Sequence, residues 1–309
     1  MAGTGIILHQ YDISPFSEKV RIVLGIKNLD WASVIQPVIM PKPDLLPLTG
    51  GYRKIPVMQI GADIYCDTAI IIRELERRFP EPSISTGADK GISHAIEFWA
   101  DHPLFTIACD VIFSGGTAPV RGNAFMEDRE KLFGRKFDLE AMAANQPLRM
   151  EQLRAHLGWV ESQLADGRAF LLGDKPGLAD AATMYNLAFI RWANPRLMDA
   201  FPDLAKLYAW EARVKAIGHG RRSEMTTAEA LDIAEGATSI EKPATDPREP
   251  NGLKAGDAVT VAADDYGRDE VAGTLVSTSA QHVAIARRDP RVGDVTLHFP
   301  RAGFFVKKR

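Results

Sequence analysis

Cysteine is scarce in this chain: two in 309 residues, Cys66 and Cys109. A disulfide framework needs more, and a metal site needs clustered ligands, so neither is expected and no metal is assigned. Both lie in apolar surroundings, IYCD and IACD. They read as small buried hydrophobes in a reducing, cytoplasmic compartment. Charge of one sign is also lacking: 37 Lys and Arg stand against 40 Asp and Glu, a net −3. No broad attraction to nucleic acid or anionic lipid follows from that balance. Long apolar runs are missing too. The most apolar tract, around 103–120, contains Asp110 and ends in Gly115–Gly116, so it reads as a soluble helix rather than a membrane span. The opening MAGTGIILHQYD has neither a basic start nor a long apolar core, which argues against a signal peptide. There is no internal repeat.

What is present has an order. Residues 6–11 read as a buried strand, 16–28 as an amphipathic helix begun by Ser14-Pro15, and 31–39 as a second strand with Pro37 near an edge or end. Residues 40–54, with three prolines and Gly50-Gly51, form a loop holding at most one helical turn. IPVMQI (55–60) and ADIYC (62–66) flank Gly61 as a hairpin. Asp67-Thr68 opens a helix that Pro80 and Pro82 end. Helical periodicity then places helices near 92–114, 123–143, 147–166, 178–193, 203–216 and 226–234. The segment 236–250, with three prolines and almost no apolar content, reads as a linker. Residues 251–309 hold five short β-like runs, a compact barrel or sandwich too small for a large core. It is therefore expected to pack on the rest of the chain or on a partner.

Three local features carry chemistry. Ser14-Pro15-Phe16-Ser17 begins a helix, where free N–H groups and the dipole favour an anion such as a thiolate, and a hydroxyl adds a donor. Taken alone, Ser14 reads as an N-cap. Ile55-Pro56 opens a strand; a cis bond there would turn the preceding backbone outward to pair with a peptide-like ligand. Asp67-Thr68 starts another helix, as a plain cap or as the holder of an amino-acid headgroup, ammonium on the carboxylate and carboxylate on the hydroxyl and amides.

Together, SPFSEKVR (14–21), KIPVMQ (54–59) and CDTAIIIRELERRFP (66–80) resemble the N-terminal domain of glutathione transferases. The resemblance covers roughly residues 5–83 and extends more loosely to about 235. It implies a multidomain α/β plus all-α chain: a thioredoxin-like glutathione-binding domain (1–83), an all-helical domain (90–236), and here an added small β-barrel-like domain (251–309). It implies a homodimer, with glutathione as co-substrate. Ser14 matches the thiol-polarising position, with Tyr11 as rival; the SPFS context favours Ser14. Ser17 takes the second place of a CxxC-like pair, and with serine at both ends no internal disulfide forms. Ile55 and Pro56 match the segment that pairs with the cysteinyl part, Asp67 and Thr68 the γ-glutamyl pair. Phe16 and Ser17 sit beside them, and Lys42 and Lys54 are candidates for the glycyl carboxylate. Trp99, His102, Phe105 and Phe113 fall on the helix that lines the electrophile site in this family, although aromatics at helical spacing are more often core. Asp101 is a further acid, expected to reach a partner's γ-glutamyl group. His9, His94, His156 and His219 show no partner arrangement and read as structural or surface residues.

The pattern departs from the family at Gly177-Leu178-Ala179-Asp180, where glycine replaces the usual hydroxyl cap, and in the appended β segment. The expected function is attack of the glutathione thiolate on a small hydrophobic electrophile, with conjugation, isomerisation and dehalogenation not distinguished. The alternative is a non-catalytic scaffold of the same fold whose C-terminal domain binds a partner.

Overall fold

Strand β1 (Ile7–Gln10) runs parallel to β2 (Asp30–Ile35), and the crossover between them is helix α1 (Pro15–Ile26). This is the only hand-economical way to join neighbouring parallel strands: a helix laid over one sheet face. The computed structural model describes residues 5–85, 89–114 and 122–309; Gly115–Gly116, where the apolar tract was expected to end, lie outside them. After one short helical turn, α2 (Leu46–Thr49), comes the expected hairpin of β3 (Val57–Ile60) and β4 (Asp63–Cys66), with β3 antiparallel to both β1 and β4. Helix α3 (Thr68–Arg78) completes a thioredoxin-like unit.

The helical unit follows. α4 (Asp89–Trp99) passes through a π-turn at Ala100–Leu104, where Pro103 sits, into α5 (Phe105–Ser114), giving the long helix read from the sequence. The helix expected over 123–143 is instead two, α6 (Asn123–Phe133) and α7 (Leu139–Ala144), because Gly134 turns left-handed (φ 66°) and ends the first. α8 (Gln146–Gln163), α9 (Leu178–Ala193) and α10 (Ala205–Ile217) follow the sequence reading. The glycine at the start of α9 has a packing reason: a Cβ at Gly177 would lie 2.5 Å from the Ile84 carbonyl oxygen. Asp180 anchors that turn, accepting from Gly177 N, Leu171 N and Trp210 Nε1 at 2.9, 2.9 and 2.7 Å.

A strand not legible in the sequence, β5 (Arg221–Glu224), then pairs in parallel with β2. Its RRSE is polar and fully exposed, so it lacks the alternation that marks a half-buried strand. Helix α11 (Thr227–Glu235) returns across the sheet, with Ala230 held by Gln59 Nε2 at 2.8 Å. The segment 236–250 is pinned rather than free. Ser239 Oγ and Ile240 N donate to Asp63, and Thr278 N donates to the Ala244 carbonyl.

Strands β6 (Ala258–Ala263), β7 (Val271–Thr278), β8 (His282–Asp289), β9 (Gly293–Pro300) and β10 (Phe304–Lys308) are the five expected β runs, antiparallel in the order β10-β6-β7-β8-β9. They do not stand apart. β9 adds in parallel to β4, so the whole forms one ten-stranded sheet, β10-β6-β7-β8-β9-β4-β3-β1-β2-β5. Alternation along β3 and β4 explains how one sheet serves two cores. Met58 and Tyr65 face α1 and the helical unit, while Val57, Ile64 and Cys66 face the other way, onto Leu297, Phe299, Leu275 and α11's Leu231. The C-terminal strands thus share a core with the thioredoxin unit, as their small size required.

Candidate active site

The site is built where three elements begin. Pro15 starts α1 with Ser14 as its cap, Ser14 Oγ accepting from Ser17 N at 3.2 Å. That bond occupies an acceptor lone pair. The hydroxyl proton has no acceptor among the described residues, so Ser14 retains a donor at a helix N-terminus. Before β3, the Ile55-Pro56 bond is cis, and the backbone groups of Ile55 make no hydrogen bond among the described residues. At the head of α3, Asp67 sits at φ +100°, a conformation that costs a non-glycine residue about 1–3 kcal/mol. Its carboxylate accepts from Ala69 N at 2.8 Å. Burial raises the Asp67 pKa, against the pull of that N–H and of Lys19 and Lys54.

These three meet in a cavity of about 410 Å³, lined also by Tyr11, Phe16, Lys42, Lys54 and Thr68. Beside it lies an ion cluster that sequence reasoning missed. Lys19, fully buried on α1, bonds Asp101 Oδ2 at 2.6 Å, Glu97 Oε1 at 2.7 Å and Thr68 Oγ1 at 3.0 Å. Burial opposes its charge, but the two carboxylates hold the ammonium on. Burial and the neighbouring Glu97 raise the Asp101 carboxyl to about 6 although Lys19 lowers it. Lys19 thereby links Asp101 to Thr68 within the chain.

The opposite end is cationic. Lys42, Arg53 and Arg129 gather around Asp128, which pairs with Arg53. Burial and the Arg129 charge push the Lys42 ammonium down to about 8, and its Nζ donates to the Pro37 carbonyl. Lys54 is not free: its Nζ binds Asp265 Oδ1 at 2.8 Å. Asp265 and its neighbour Tyr266 come from the β6–β7 loop, which no sequence signal connected with this site.

The apolar wall lies on the long helix. Phe98, Asp101, His102, Phe105, Cys109 and Ile112 follow one helical stripe into the cavity, and Phe113 joins them. Phe16 packs on Phe105 and Tyr185, ring centroids 4.6 and 5.0 Å away. Trp99 is one position off the stripe and does not line the cavity. It turns to α8, donating from Nε1 to His156 Nδ1 at 3.0 Å. Ser17 also stays out, its Oγ buried without a hydrogen-bond partner. The four histidines read as structural or surface residues each hold a hydrogen-bond partner: His9 with Gln59, His94 with Glu97, His219 with Glu18, and His156 with Trp99.

Residues 8–83 match the glutathione S-transferase N-terminal domain, and residues 114–222 match a domain of unknown function. A solved GST-like protein from Pseudomonas syringae is 37% identical over 99% of this chain and 100% of its own, with a TM-score of 0.79. The chain belongs to the GST-like family. Its match to the Pseudomonas protein runs through the C-terminal strands, which lie outside both family models. More distant members share the fold. A glutathione S-transferase from Rhodospirillum rubrum is 22% identical (TM-score 0.54; 68% of this chain, 88% of that one). One from Phanerochaete chrysosporium is 18% identical (TM-score 0.57; 70% and 98%). No curated protein matches the chain. Among the described residues, no helix is long and apolar enough to cross a membrane.

Proposed function

We propose that the chain binds glutathione in this cavity and uses its thiolate to attack a small hydrophobic electrophile. The observation that carries this reading is the convergence of Ser14, Ile55 and the Asp67-Thr68 pair on one cavity beside an aromatic wall. In this reading the γ-glutamyl ammonium meets Asp67 and its carboxylate the amides opening α3. The cysteinyl backbone pairs with Ile55. The glycyl carboxylate lies toward Lys42, because Lys54 is already neutralised by Asp265 and Arg53 by Asp128. The Ser14 hydroxyl and the α1 amides stabilise the thiolate, whose proton passes to water. Sulfur then bonds the electrophilic carbon, and the displaced electron pair leaves with the departing group. Tyr11 lines the same cavity and is the rival donor.

The scaffold reading has less support. The C-terminal strands are engaged in a shared core, and their β6–β7 loop lines the cavity. A homodimer, which the family suggests, would have to form without strand addition at β4, since β9 occupies that edge.

Ultraviolet titration of the bound thiolate tests the mechanism. Bound thiol should ionise below its free value, and Ser14→Ala should move it back up by about one pH unit or more. An unshifted thiol in the parent protein would refute thiolate activation. A shift retained in Ser14→Ala but lost in Tyr11→Phe would transfer the role.

A further inference from the structure

The β6–β7 loop is tied to both halves of the cavity. Asp265 bonds Lys54 of the thioredoxin unit at 2.8 Å, and Gly267 N donates to the Leu132 carbonyl of the helical unit at 2.8 Å. Gly267 adopts φ +60°, and a Cβ there would come within 2.9 Å of both Leu132 and Lys54, so the close approach favours glycine. Between these ties stands Tyr266. Its ring stacks on Phe133 with centroids 4.6 Å apart, and Lys54 Nζ lies 4.2 Å from its centre. It packs against the cluster of Phe105, Cys109 and Tyr185, the first two from the stripe of the long helix that forms the apolar wall. Among the described residues its hydroxyl makes no hydrogen bond, while the residue lines the cavity. A phenol held by its ring, with an uncommitted donor in a ligand cavity, is placed to meet a ligand.

Resting on the function proposed above, we infer that Tyr266 is a substrate-contacting residue: its ring edge and hydroxyl receive a flat, electron-poor aromatic electrophile bearing acceptor oxygens. The appended strands thereby supply one wall of the electrophile site. The class follows from the walls. Phe105, Phe113 and Phe133 offer ring faces and edges, and Tyr266, its ring already packed against Phe133 and Lys54, adds a ring edge and a hydroxyl donor. Asp265 positions the loop through Lys54.

Calorimetric titration of the full chain with glutathione, S-dinitrophenylglutathione and S-hexylglutathione tests this without requiring turnover. Tyr266→Ala should leave glutathione affinity within about twofold and weaken the dinitrophenyl conjugate about tenfold or more. Tyr266→Phe keeps the ring and should weaken the dinitrophenyl conjugate about threefold or more while sparing the hexyl conjugate. Equal conjugate affinity in the parent and both variants would overturn the inference while leaving glutathione binding in place. An equal loss for all three ligands in Tyr266→Ala would also overturn it, by placing Tyr266 on the glutathione side. If the parent bound no glutathione, the proposed function would fall, and this inference with it.

Discussion

Lys19 Nζ and Asp101 Oδ2 meet 2.6 Å apart beneath the cavity, joining the first helix of the thioredoxin unit to the π-turn of the helical unit. The lysine is wholly buried, and Glu97 and Thr68 complete its shell. One cation therefore holds two domains and the hydroxyl beside Asp67 in a fixed relation.

Removing that cation leaves two buried carboxylates without their partner. Lys19→Met should lower stability by about 3–5 kcal/mol in urea unfolding, the usual cost of breaking a buried pair from one side. A loss under about 1 kcal/mol would mean that water reaches the cluster.

His9 is a second buried titratable group, held between Gln59 and Gln36. Burial, partly offset by the Gln59 hydrogen bond, lowers its pKa from 6.5 to about 4. Because the folded value is depressed, its contribution to stability is present above 6.5 and is lost as pH falls through about 4. The loss from this one site is at most about 3 kcal/mol. Imidazole resonances followed by NMR should show His9 neutral until the pH approaches 4. A midpoint near the free value would contradict the burial argument.

Much of this arrangement is legible in the sequence, and the remainder is not, for one physical reason. Caps, turns and alternation are local: Ser14-Pro15, Asp67-Thr68 and the Gly61 hairpin announce themselves within a few residues. Partnerships across the chain leave no such trace. Nothing near Lys54 foretells Asp265, 211 residues away, and nothing in SEKVR marks Lys19 as buried. Trp99 and Phe105 look alike as aromatics on one helix, and only the helix's rotation separates core from cavity. Polar β5 and the pinned segment 236–250 were missed because their order comes from the strands and side chains they meet.

Lys42 gives the site a pH dependence that can be isolated from the thiol. Burial and Arg129 hold its pKa to about 8, so the ammonium is lost as pH rises through that value. If the glycyl carboxylate lies on Lys42, affinity for S-methylglutathione, which has no titrating thiol, should fall across that range. Lys42→Met should flatten the profile. A parent profile flat through pH 8 would move the carboxylate to Arg53 or Arg129.

The most direct measurement is calorimetric titration of the parent protein and Asp67→Ala with reduced glutathione. Specific binding by the parent, weakened about tenfold or more when the γ-glutamyl ammonium loses its carboxylate, is the predicted result. No binding by the parent, or equal affinity in the two proteins, would contradict the placement of glutathione at Asp67.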